Sequence, residues 1–366
     1  MTPQANSAAL STADLRPFMR WLVGLAGLAG LVVLARQSPP GSISHQIAVA
    51  PFRAMADAPD LLAQSLWEGF VGGMLYGLIA LGFVLIYKAS RVFNFAQGIL
   101  VVFSSLALIE AYELYVRLGL PRSVGAYLAL LSAIAVVFVL AALVERFMLR
   151  RLVNQSDLIL FMATIGLNYL LIGVGEIVFG GVPRQMITES LGLPQGYLDL
   201  EMLGGRVSIQ MLDIAAASIT LALIVGLTLL FRFSSLGRSF RAVAEGHQAA
   251  LSVGISLNRI WVIVWFAAGV VALVTGIAWG ARSDVSFGLQ AVALKALPVL
   301  ILGGFTSIPG AIIGGLIIGI GEKIGEFYWG PLLGSGIESW LAYIIALSFL
   351  IVRPHGLFGD RAIERI

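Results

Sequence analysis

Long apolar stretches recur along nearly the whole chain: Phe18–Ala35, Leu66–Lys88, Ile99–Val116, Val124–Val144, Leu158–Gly180, Ile209–Phe231, Ile260–Gly280, Ala296–Gly321 and Ser335–Val352. A helix needs about 20 mostly apolar residues to cross the hydrocarbon core, and these stretches approach or exceed that length. A membrane barrel would instead show alternating segments of about ten residues. The sequence therefore predicts an all-α, polytopic membrane helix bundle. Composition agrees. Of 366 residues, 59% are hydrophobic and 12% charged, where a soluble domain carries about 25% charged residues. An ordinary water-soluble enzyme is excluded. The formal net charge of +3 is too small and too dispersed for nucleic-acid binding. With the high apolar content it also excludes disorder.

The chain contains no cysteine. Disulfides, thiolate metal sites, iron–sulfur clusters and cysteine nucleophiles are excluded. Its histidines are His45, His247 and His355, too few and too scattered to suggest a multi-histidine metal site.

One stretch is interrupted. Gly303-Gly304-Phe305-Thr306-Ser307-Ile308-Pro309-Gly310 punctuates Ala296–Gly321 with three glycines and a proline. Proline fits the first turn of a new helix, where its missing N–H costs nothing. Two short helices are predicted, Ala291–Leu302 and Pro309–Gly325, joined by a turn. Such backbone must be buried in protein or line a watery space. The sum is about eight full spans plus this broken, short pair.

Arginine and lysine set the orientation. Arg16, Arg20, Lys88, Arg91, the Arg146–Arg151 cluster and the arginines of Arg232–Arg259 fall on one side, which is then the inside. The chain is outside after Gly280 and ends at a basic tail. The broken pair must therefore enter and return. Phe18–Ala35 has the flanking arginines of a signal peptide, but no small-residue cleavage site follows it, and an uncleaved helix is favoured. Gly69, Gly73 and Gly77, and the pairs Gly310–Gly314 and Gly315–Gly319, place small residues four apart. That is the pattern of close helix packing in lipid.

Segment 232–259 is too polar to cross the membrane. Ala242, Ala249, Ala250 and Val253 form an apolar stripe flanked by Arg238, Arg241, Glu245 and Gln248, and Gly246 and Gly254 interrupt it. An interfacial helix usually carries bulky residues and lysines. An alanine- and glycine-rich helix favours seating against a partner protein.

This segment resembles the coupling loop of the branched-chain amino-acid ABC-transporter permeases of the LivH type. So do Val92-Phe93-Asn94-Phe95-Ala96-Gln97-Gly98, then Glu145-Arg146 with Arg150 and the start of Leu158–Gly166, then Leu294-Lys295-Ala296-Leu297-Pro298 running into Leu302–Gly315, and finally Arg353-Pro354-His355-Gly356-Leu357-Phe358-Gly359. The resemblance covers residues 66–360, a permease domain. Residues 1–65 form an N-terminal extension with an extra membrane helix.

The resemblance implies a bacterial inner-membrane permease subunit. It would pair with a second, related permease, two cytoplasmic ATP-binding subunits and an extracytoplasmic substrate-binding protein. ATP and Mg belong to those ATPases. No G-x-x-x-x-G-K-[ST] phosphate loop occurs here, so no cofactor is expected on this chain. Ile99 stands where the family usually has an acidic residue, and Gly246 follows Glu245 where it often has an acidic pair. Urea, amides and small organic acids therefore stay open beside branched-chain amino acids.

Polar groups inside a membrane are functional candidates by default. The candidate substrate path comprises Asn94, Gln97, Thr164, Asn168, Gly303, Gly304, Thr306 and Ser307. The candidate ATPase-coupling residues are Arg238, Arg241, Glu245, Ala249, Ala250 and Gly254. Asn94 and Gln97 could equally cap the following helix, and Asn168 could bond a neighbouring helix. Glu322 and Glu326 read as a solvated face near the outer end of their helix. The 181–208 loop, with Arg184, Glu189, Asp199, Glu201 and Arg206, is the expected outer docking surface. A stand-alone carrier is the main rival, but it needs no ATPase dock. A serine hydrolase fails because Ser335 and His355 lie about 30 Å apart along one helix.

Overall fold

The computed structural model describes residues 42–152, 155–202, 204–353 and 356–358. The predicted first helix, Phe18–Ala35, lies outside these residues, as do Pro354 and His355.

At the end that the arginine and lysine distribution sets outside, the outer end, α1 (Ile43–Ala48) and α2 (Ala50–Asp57) precede the central helix α3 (Pro59–Ser90). α4 (Gln97–Arg117), α5 (Arg122–Phe147) and α6 (Asp157–Phe179) follow. A hairpin, β1 (Tyr197–Met202) with β2 (Gly205–Gln210), leads into α7 (Met211–Phe233). The short α8 (Ser235–Glu245) and α9 (His247–Ser252) precede α10 (Leu257–Gly280). A 3-10 turn at Phe287–Ala291 opens α11 (Val292–Gly303), which is followed by α12 (Ile308–Leu333) and α13 (Glu338–Val352). Among the described residues, seven helices are long and apolar enough to cross a membrane. The bundle is therefore all-α apart from one hairpin, antiparallel from Tyr197↔Gln210 to Met202↔Gly205.

α3 is apolar all round and buried from Val71 to Ile86, as expected for a helix at the core of a bundle. α12 lies along it. A Cβ at Gly69 or Gly73 would strike the α12 backbone at Ile320 and Gly315, and one at Gly319 would strike Gly73. The glycine spacing serves the close approach that lipid-embedded helices need.

The broken pair exists, but only its first helix is short. α12 runs 26 residues, beyond the predicted Gly325. Glu322, Lys323 and Glu326 interrupt the apolar run in sequence without interrupting the helix. Conversely α13 has 15 residues and is the short member at the end of the chain.

The two polar ends of the bundle are distinct. At the outer end, Gln64 of α3 exchanges two hydrogen bonds with the backbone of Ser208: its Nε2 donates to the carbonyl at 3.0 Å and its Oε1 accepts from the N–H at 3.1 Å. Arg184 bridges Glu110 and Glu113 of α4 at 2.9 and 3.0 Å. Arg282, just after α10, pairs with Asp213 of α7. At the opposite end of α3 lie Arg91 and the α8–α9 pair.

Candidate functional site: the inner-end clasp and the coupling helices

α3 ends at Arg91 in the left-handed conformation, φ 58°. The irregular segment after it turns the chain into α4. Asn94 and Gln97 are wholly buried. Asn94 Oδ1 accepts from the Ala96 N–H at 3.1 Å, and its Nδ2 donates to Gln97 Oε1 at 3.4 Å. Gln97 Nε2 donates to the Ala268 carbonyl of α10 at 3.3 Å. Gly82 leaves room for this amide, since a Cβ there would collide with it. Thr164 of α6 closes the clasp: its hydroxyl accepts from the Phe95 N–H at 3.3 Å and lies within donating distance of the Phe93 and Phe161 carbonyls, at 3.0 and 2.9 Å. Asn94, Gln97 and Thr164 thus come together around the segment 93–97, whose hydrogen bonds join α4, α6 and α10 while Gly82 of α3 packs against it. In this state their donors and acceptors are engaged within the chain.

Asn168, one turn further along α6, does not join that unit. It lines a cleft of about 330 Å³ with Phe83, Phe93, Phe95, Gln290 and Leu294. The cleft is mainly apolar, with the amides of Asn168 and Gln290 in its lining.

Gly303, Gly304, Thr306 and Ser307 form the turn between α11 and α12. Gly304 is left-handed, φ 99°, and Gly303 packs so closely on Gly310 that a Cβ on either would meet the other's carbonyl. Ser307 Oγ caps α12 by accepting from the Gly310 N–H at 3.1 Å. The turn lies at the inner end. Phe305 packs against Tyr87 and Phe93, and the segment after α13 bonds back to it, Leu357 N–H to the Leu302 carbonyl at 2.8 Å. Gly303 and Gly304 are buried in protein.

The polar segment after α7 folds as two short helices separated by Gly246, whose backbone is extended. Ser234 caps α8 by accepting from the Gly237 N–H at 3.0 Å. Gly237 abuts the Phe231 backbone, so the chain reverses sharply out of α7. Arg241 Nη1 donates to the Phe231 carbonyl at 2.6 Å, and Arg91 Nη2 to that of Ala244 at 3.1 Å. The buried face is Phe240, Val243, Ala244 and Ala250. The continuous stripe through Ala242 and Val253 is not observed: the break at Gly246 resets the helical phase, and Val253 is 76% exposed. Ala249 lies in α9. Arg238, Glu245 and Gly254 are exposed, and Gly254 is left-handed, φ 81°. With Leu251 and Val253 they make a mixed apolar and charged surface beyond the end of the bundle.

Sequence reasoning missed Glu322, which is 1% exposed rather than solvated. Glu326 accepts from the backbone N–H groups of Gly336 and Glu338 and so closes the turn between α12 and α13. Nothing in the i, i+4 spacing of the two glutamates separates these fates.

The sequence profile of the family described as branched-chain amino acid transport system / permease component matches residues 65–352. The high-affinity branched-chain amino acid transport system permease protein BraD of Pseudomonas aeruginosa is 28% identical over 306 residues, covering 83% of this chain and 97% of that protein. LivH of Escherichia coli K12 is 26% identical over 313 residues, covering 83% and 97%. The probable permease LivH of Methanocaldococcus jannaschii is 28% identical over 322 residues, covering 82% and 95%. A profile match across most of the chain, on a bundle whose span-length helices carry the expected broken pair and polar inner segment, places the protein in the membrane as a member of the branched-chain amino acid permease family.

Proposed function

We propose that this chain is a transmembrane subunit of a binding-protein-dependent ABC importer for branched-chain amino acids, working in a bacterial inner membrane. Residues 66–360 form the permease domain and residues 1–65 an N-terminal extension. A second, related permease completes the path. Two cytoplasmic subunits bind ATP and Mg, and this chain carries no cofactor of its own. An extracytoplasmic protein delivers the solute to the hairpin end.

The observation that carries this reading is the α8–α9 pair, fastened to the inner end of the central helix while presenting exposed Leu251 and Val253. Nucleotide-driven closure of the ATPases would move this pair as a rigid body. The two-state packing of a close-packed bundle would carry that movement to the outer end. Solute would cross beside the Asn94–Gln97–Thr164 clasp, the Asn168 cleft and the turn from Gly303 to Ser307.

The test is reconstitution. Liposomes holding the permease pair, its ATPases and its binding protein should accumulate leucine only with ATP. Accumulation by this chain alone, without nucleotide, would establish a stand-alone carrier instead.

A further inference from the structure

Glu322 sits about 21 Å along α12 from Ile308, at 1.5 Å per residue, in the outer half of the bundle. Neither of its buried carboxylate oxygens has a hydrogen-bond partner among the described residues. The Tyr76 phenol of α3 faces it and is the hydroxyl that could donate to it. Trp279 of α10 stacks on Tyr76, ring centres 5.7 Å apart, and its indole N–H is also buried without an acceptor. Lys295 of α11 lies over the same phenol, Nζ 5.8 Å from the ring centre. Lys295 and Lys323 both turn to Glu338, at 3.5 and 3.1 Å. Two cations therefore share one carboxylate, and among the described residues Glu322 forms no ion pair.

The carboxylate and the indole N–H thus lie on two residues that both adjoin the Tyr76 ring, one an acceptor and the other a donor, and each loses its water on burial. Such a pair is complemented by a ligand that carries a strong donor and a strong acceptor close together. The surrounding charges already balance, two lysines against two glutamates, so a ligand with no net charge fits best. The side chains of Lys295, Lys323 and Glu338 remain 26%, 38% and 33% exposed. Charges on membrane helices face water or protein rather than hydrocarbon, so the cluster opens on a watery space or on another subunit.

We propose that Glu322, Tyr76, Trp279 and Lys295 form a subsite for the charged end of a zwitterionic α-amino acid. Glu322 receives the α-ammonium. The indole N–H of Trp279 and the ammonium of Lys295 face the α-carboxylate. The subsite rests on reading the solute as an amino acid.

The experiment measures radiolabelled leucine uptake and ATP hydrolysis by the complete transporter in liposomes. E322Q should lower maximal uptake about ten- to a hundredfold, the range for losing a hydrogen bond to a charged group. Stimulation of ATP hydrolysis by the loaded binding protein should persist, and E322D should restore much of the uptake. W279F should lower uptake in the same direction. Should E322Q fail to assemble, photo-leucine crosslinking of the wild-type complex decides. Adducts on the segments holding Tyr76, Trp279 or Glu322 support the subsite, and adducts confined elsewhere overturn it. Leucine uptake indifferent to E322Q overturns the subsite alone. A wild-type transporter that takes up no amino acid overturns the amino-acid reading and the subsite together.

Discussion

Arg91 Nη2 donates a 3.1 Å hydrogen bond to the carbonyl of Ala244. The residue that ends the central helix thus holds the C-terminal end of α8, the contact through which the proposed coupling would pass. Arg91→Ala should loosen that seat by about 1.5–3 kcal/mol, the worth of a hydrogen bond from a charged donor. Leucine transported per ATP hydrolysed should fall, while the quantity of assembled complex stays close to wild type.

Gly254 follows α9 in a left-handed conformation that side chains rarely adopt. Gly254→Trp should strain the backbone and enlarge the surface offered to an ATPase. Uptake should fall about tenfold, a change of about 1.4 kcal/mol in effective coupling, with membrane insertion intact. Paired transport and ATP hydrolysis assays measure this uncoupling directly.

The α3–α12 seam makes a sharper structural forecast. Gly319→Leu drives a side chain into the backbone at Gly73. Helix separation of that kind should cost at least about 3 kcal/mol and abolish a monodisperse peak in size-exclusion chromatography. Gly72→Ala points to a position with nothing within 4 Å and should elute as wild type.

Asp213 and Arg282 tie α7 to the outer end of α10. The carboxylate side chain is 9% exposed and the guanidinium 23%, so part of the interaction is screened by water. Asp213→Asn should destabilise by about 1–3 kcal/mol, below the 3–5 typical of fully buried pairs. A thermal-unfolding series with Arg282→Gln and the double variant should show strong non-additivity.

The helices themselves were legible because the bilayer demands long apolar runs, and the Gly/Pro interruption correctly marked the break between α11 and α12. Three features were missed. The hairpin at Tyr197–Gln210 carries its own signal, Leu198-Asp199-Leu200-Glu201-Met202 and Arg206-Val207-Ser208-Ile209-Gln210 alternating around Gly204-Gly205, but a polar stretch between two spans reads first as a loop. The length of α12 was masked by Glu322, Lys323 and Glu326, because a charge inside a helix reads as its end when its burial is unknown. The break at Gly246 divided a stripe that helical periodicity had joined, so Val253 points outward while Phe240 and Val243 fill the buried face. The clasp was half legible. Asn94 and Gln97 were named as either cap or path groups, but the bond from Gln97 to Ala268 and those of Thr164 to the Phe93 and Phe95 backbone are tertiary contacts that spacing does not reveal.

The chain has no cysteine of its own, so a single introduced thiol reports cleanly on the central claim that ATPase-driven motion enters through α8 and α9. The measurement is labelling of Val253→Cys by a membrane-impermeant maleimide, followed by crosslinking within the assembled transporter. The expected result is labelling only from the cytoplasmic side, protection by the ATPase subunits and a crosslink to them. Labelling from outside in intact cells, or no protection when the ATPases are bound, would contradict it.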